Sequence, residues 1–133
     1  MAPETIIDTE QFSMWYYPDK KIIHHKFHGE FYGPEFRAAL EKGTEILKRE
    51  GARKWLSDDR DYGRLPKEDV DWGADDWGPK TVMAGWRYWA IVMPTAVLAQ
   101  ASHSALEQNF SRIGVTARVF PSTDEAMRWL EAQ

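Results

Sequence analysis

Aromatic and β-branched residues crowd two short stretches near the start of the chain, Phe12 to Tyr17 and Lys21 to His28. That composition predicts strands. Pro18, Asp19 and Lys20 separate them and supply turn chemistry, so the pair reads as an antiparallel hairpin. Alternation places Ile23, His25 and Phe27 on one face of the second strand. Ile22, His24, Lys26 and His28 take the other. After Pro34 the period becomes helical. Phe36, Ala39, Leu40, Gly43, Ile46 and Leu47 form an apolar stripe, with Glu35, Arg37, Glu41, Lys42, Glu45 and Arg49 opposite. Gly51 can end this helix with positive φ.

Arg53 to Asp58 reads as a short strand carrying Trp55 and Leu56. Asp59 to Trp86 contains Pro66, Pro79 and several glycines. It is predicted to be irregular, with short helical turns after each proline. Trp89 to Met93 is continuously apolar, which predicts a central strand covered on both faces. Thr95 can cap a helix running through Ile113 to Gly114, with Ala99, Leu106, Phe110 and Ile113 inward. Val115 to Phe120 is the last strand. Ser122-Thr-Asp-Glu125 is a capping box opening a final helix that buries Ala126, Met127 and Leu130.

The predicted fold is therefore α/β, a single-domain mixed five-stranded sheet with an N-terminal antiparallel hairpin and flanking helices. Residues 1–11 are polar and read as a lead-in, and residues 12–133 as the domain.

Composition narrows the function classes. The 133 residues fit one domain with a core of its own. There are 17 basic and 21 acidic residues, a net charge of −4, which argues against non-specific nucleic-acid binding. With no cysteine, disulfides, thiolate nucleophiles and cysteine zinc sites are ruled out. No apolar run approaches a membrane span. Met1 to Glu10 lacks the apolar core of a signal peptide, so a cytoplasmic protein is expected.

The element order, from about Phe12 to the C-terminus, resembles the SpoIIAA-like fold of STAS domains and anti-sigma-factor antagonists. Trp55-Leu-Ser-Asp-Asp-Arg60, Gly85-Trp-Arg-Tyr-Trp-Ala90 and Val119-Phe-Pro-Ser-Thr-Asp-Glu-Ala-Met-Arg-Trp-Leu130 are similar to stretches of uncharacterised bacterial SpoIIAA-like proteins. Regulatory members of that family carry a phosphorylatable serine just after a central strand. The matching stretch here, Ser57-Asp-Asp-Arg-Asp-Tyr-Gly63, lacks the Ser-Ser-Gly type of motif, so the phosphoswitch does not carry over. The resemblance brings no enzymatic activity and no known ligand.

Candidate chemistry is sparse. Asp58, Asp59, Asp61, Glu68, Asp69, Asp71, Asp75 and Asp76 crowd one region. Asp69-x-Asp71 begins like a calcium loop, but the turn glycine is displaced to Gly73 and Lys80 stands where the bidentate glutamate belongs. His24, His25 and His28 are read as sheet-face residues and His103 as a helix-edge residue. No metal or other cofactor is expected. No Gly-x-Ser-x-Gly elbow is present.

Trp72, Trp77, Trp86 and Trp89 cluster, and the segment from Tyr62 to Trp86 is expected to form the functional surface or roof a pocket. The predicted binding residues are Asp58, Asp59, Arg60, Trp72, Trp77 and Trp86, at a strand end where α/β folds place function. The leading expectation is a non-catalytic binding or regulatory module with a protein partner or a second copy of itself, a homodimer. The alternative is a carrier of a small apolar or lipid-like ligand, by likeness to CRAL-TRIO-type domains. Third comes a small hydrolase using Asp58 or Asp59 with a histidine.

Overall fold

The structure, a computed structural model, describes residues 2–61, 65–94 and 102–133, with side chains of the last stretch from Glu107 onward. Tyr62 and the residues from Thr95 through Ala99 lie outside the described residues, and so do the side chains of His103 and Leu106.

Six strands form one sheet in sequence order, β1 (Glu4–Asp8), β2 (Phe12–Tyr17), β3 (Ile22–Phe27), β4 (Lys54–Asp58), β5 (Tyr88–Val92) and β6 (Thr116–Phe120). β1, β2 and β3 pair antiparallel, and β3 through β6 pair parallel. The α/β class and the mixed sheet are as the sequence predicts. Among the described residues the strand count is six, not five, because Glu4–Asp8 pairs along β2. Its register shifts between Thr5 and Ile7. Ile6 and Ile7 are then both half-buried against the core, a pairing that period-two alternation would not reveal.

Register sorts the strand residues into two faces. Tyr16, Ile23, Trp55, Trp89 and Ala117 form one cross-strand row on the first face, and Met14, His25, Ser57, Ile91 and Val119 the next. Trp15, His24, Leu56, Ala90 and Arg118 lie on the second face, with Ser13, Lys26, Asp58, Val92 and Phe120 beside them.

Helix α1 (Gly33–Glu50) packs its stripe of Phe36, Ala39, Leu40, Ile46 and Leu47 on the first face. Gly51, at φ 66°, ends it in the left-handed region. A Cβ at Gly43 would overlap the Trp55 ring, so the bare backbone there is what lets the helix seat over the tryptophan.

Within the stretch predicted as irregular, a helix does begin after Pro66, but residues 67–83 form one continuous helical run rather than separate turns: α2 (Lys67–Trp72), a π turn (Gly73–Trp77) and α3 (Gly78–Met83). Gly78 N–H bonds back to the Gly73 carbonyl. A Cβ at Gly78 would approach that carbonyl to 2.9 Å. The wider turn lets the chain pass through Gly78-Pro79 without breaking, although proline removes one helical donor. Helices α4 (Ser102–Ser111) and α5 (Thr123–Glu131) complete the described elements. Ser122 Oγ caps α5 by accepting from Glu125 N–H at 3.2 Å. α5 packs Ala126 and Leu130 on the second face, against Ile22, Leu56, Ala90 and Val92.

β5 lies between β4 and β6. Its Ala90, Ile91 and Val92 are fully buried, while Tyr88 and Trp89 are half-buried.

Candidate functional site

A cavity of about 550 Å³ lies between the first sheet face and the α2–π–α3 run. Phe27, Ser57 and Met93, at or just past the ends of three parallel strands, all line it. This is the end of the sheet where α/β folds collect ligands. The walls are mostly carbon. Phe27 comes from β3, Phe36 and Leu40 from α1, Val70 from α2, Trp77 from the π turn, Trp89 from β5 and Phe110 from α4. Into this lining come the polar residues His25, Ser57, Asp59, Arg60 and Asp69. A concave, largely apolar space with few polar groups is the usual form of a small-molecule site.

The roof is fastened by buried hydrogen bonds. Trp77 Nε1–H donates to Thr44 Oγ1 at 2.9 Å and to the Leu40 carbonyl at 3.2 Å. Thr44 Oγ1 donates to Leu40 O at 3.1 Å, so the 2.8 Å contact with Thr81 Oγ1 is donated by Thr81. At the other end Asp69, 1% exposed, accepts from Gly33 N–H at 2.7 Å and from Arg37 Nε at 2.8 Å. Its carboxylate thus caps the start of α1 and ties α2 to it.

The polar end is built on adjacent strands. His25 and Ser57 are paired across β3 and β4. Trp55 Nε1–H donates to His25 Nδ1 at 2.9 Å. An indole can only donate, so His25 Nδ1 carries a lone pair and the neutral ring holds its proton on Nε2. That Nε2 faces Asp59 Oδ1 at 3.6 Å, beyond hydrogen-bond length. Both atoms are buried and neither has a hydrogen-bond partner. Ser57 Oγ accepts from Trp89 Nε1–H at 2.7 Å.

The six predicted binding residues divide. Asp59, Arg60 and Trp77 line the cavity. Asp58 does not, because the pleat turns it to the second face, where Arg60 holds it through Nε at 2.9 Å and Nη2 at 2.7 Å. Burial pushes the Asp58 carboxyl up, but the bonds from Arg60 and the charge of Lys26 outweigh it and hold the pKa below the usual value. Trp86 is fully buried and belongs to the core with Trp55 and Trp77. Trp72 is half-buried against Phe36, with the Arg37 guanidinium over its ring.

His25, Ser57, Trp89 and Phe110 were not among the predicted site residues, although all four line the cavity. Alternation did place His25 on the face of Ile23 and Phe27, and a histidine inside an apolar row was the available signal. On the second face His24 packs between Trp15 and Tyr17. Burial above all, together with the neighbouring His25, lowers its pKa to about 4.

Among the described residues, no group of three or more histidine or acidic side chains is placed to hold a metal ion, and no helix is long and apolar enough to cross a membrane. No family model, curated protein or solved structure matches the chain. The reading of the site therefore rests on its geometry.

Proposed function

We propose that the protein is a non-catalytic binding module that takes up one small, largely apolar molecule in the cavity beneath the α2–π–α3 run. The carrying observation is the cavity of about 550 Å³, walled by aromatic and aliphatic side chains from both the sheet and the helices. Space of this size and lining suits a compact organic ligand.

Two features favour binding over hydrolysis. The cavity's histidine has its basic nitrogen occupied by the Trp55 indole, so it has no free lone pair with which to activate Ser57 or a water. Asp58, one of the two acids considered for hydrolysis, is turned to the opposite face and held by Arg60. The arrangement of Trp77 favours a ligand over a protein partner, since this ring is 6% exposed and turns toward α1. We also assign the fold to the SpoIIAA-like group. The sequential order, with β3 to β6 parallel and α5 alone of the described helices packed on the second face, supports that assignment.

Titration with the neutral dye Nile red tests the binding reading. Saturable binding of one dye per chain, with quenching of tryptophan emission through Trp77 and Trp89, is the expected result. Absence of saturable binding by the folded protein contradicts it.

A further inference from the structure

We infer that the cavity selects ligands bearing a hydroxyl group, held between His25 and Asp59. This inference rests on the cavity being a ligand site and adds the chemical class of the ligand.

The polar groups of the cavity are not equivalent. Asp69 spends both oxygens on Gly33 and Arg37. The Arg60 guanidinium is bound by Asp58 and donates onward to Thr123 Oγ1 at 3.1 Å. Ser57 Oγ already receives the Trp89 indole. His25 Nε2 and Asp59 Oδ1 are different, for they are buried and without hydrogen-bond partners. One is a fixed donor, because Trp55 occupies the other ring nitrogen. The other is an acceptor when the carboxylate is ionised.

A donor and an acceptor 3.6 Å apart suit one atom that can both accept and donate. A hydroxyl oxygen about 2.8 Å from each closes the triangle, accepting from Nε2–H and donating to Oδ1. Other head groups fit less well. A ketone or an ether accepts from His25 but gives Asp59 nothing. A carboxylate places a second negative charge against Asp59, since the nearby Arg60 charge is taken by Asp58. An ammonium satisfies Asp59 but meets the His25 N–H with another donor. The surrounding rings, among them Phe27, Trp77, Trp89 and Phe110, favour an aromatic or alicyclic body on that hydroxyl.

The test is calorimetric titration at neutral pH with β-naphthol, its methyl ether and β-naphthoate, three probes sharing one ring system. Wild-type protein is expected to bind β-naphthol roughly tenfold or more tighter than the ether, the scale of a hydrogen bond to a charged group, and to bind β-naphthoate weakest. Asp59→Ala should abolish the advantage of the alcohol over the ether. His25→Phe should weaken the alcohol and the ether together, because both accept from Nε2–H. Because His25 is packed in the core, the Asp59 variant, whose side chain is 20% exposed, decides the matter if His25→Phe does not fold. Equal affinity for alcohol and ether, tightest binding of β-naphthoate, or an advantage that survives Asp59→Ala overturns the hydroxyl assignment and leaves the cavity as an apolar ligand site. Failure of alcohol and ether alike to bind removes the ligand site and the assignment with it.

Discussion

Trp55 fixes the protonation of His25. The indole N–H meets Nδ1 at 2.9 Å on the sheet face that α1 covers, and both residues are almost wholly buried. A hydrogen bond between two core rings thereby decides which nitrogen of the imidazole carries the proton. Nitrogen NMR of the imidazole should find Nδ1 as the hydrogen-bond acceptor and the proton of the neutral ring on Nε2. In Trp55→Phe the ring loses its partner, the tautomer should become mixed, and stability should fall by about 1–3 kcal/mol from the unsatisfied nitrogen alone.

Acid should weaken the fold through His24. Its pKa falls from 6.5 to about 4 in the folded state. Above the unfolded value both states are neutral and the full stability is present. Between the two values the unfolded chain binds a proton that the folded chain refuses, so stability drops as pH falls, by on the order of 3 kcal/mol in total. Below about 4 this group contributes no further loss. Denaturant unfolding of wild type and His24→Phe across this range should show the extra slope in the wild type alone.

Gly43 is predicted to be intolerant of even one carbon. A Cβ there would run into the Trp55 ring, which is fully buried and held by its bond to His25. Gly43→Ala would normally stabilise a helix by about 1 kcal/mol. Here overpacking should reverse the sign and cost roughly 1–3 kcal/mol, read as a lower denaturant midpoint.

Thr44 gathers the bonds that hold the roof to α1, accepting from Trp77 and Thr81. Thr44→Val keeps the shape and removes the oxygen. We expect a loss of about 1–3 kcal/mol and faster proteolytic cleavage within residues 67–83. Unchanged protection of that segment would show that packing alone fastens it.

How much of this was legible in the chain depends on the range of the forces involved. The hairpin, α1 and the apolar β5 run follow from local periodicity, and they lie close to where the pattern places them. β1 was missed because an edge strand needs only one partner, and its polar residues Glu4, Thr5 and Asp8 face solvent. The continuity of the helical run over residues 67–83 is not legible locally, because Gly73, Gly78 and Pro79 each signal a stop and a π turn absorbs them only in the context of tertiary packing. Asp58, Asp59 and Arg60 looked like one site in sequence. Strand pleat separates the first two, a consequence of period two that the acid count concealed. His25 and Ser57 are far apart in the chain, and only the parallel register of β3 and β4 sets them side by side.

Blocking the cavity tests the central claim most directly. Gly73 lines it and has helical backbone angles, φ −61° and ψ −41°, and a Cβ there would meet no atom within 4 Å. Gly73→Phe should therefore fold at least as stably as the wild type, since glycine is the costlier residue in a helix. Its ring should occupy the space meant for a ligand. Nile red titrated into both proteins should bind the wild type saturably and lose affinity roughly tenfold or more in the folded variant, in keeping with lost burial of apolar surface. Equal binding by the two proteins would contradict the account.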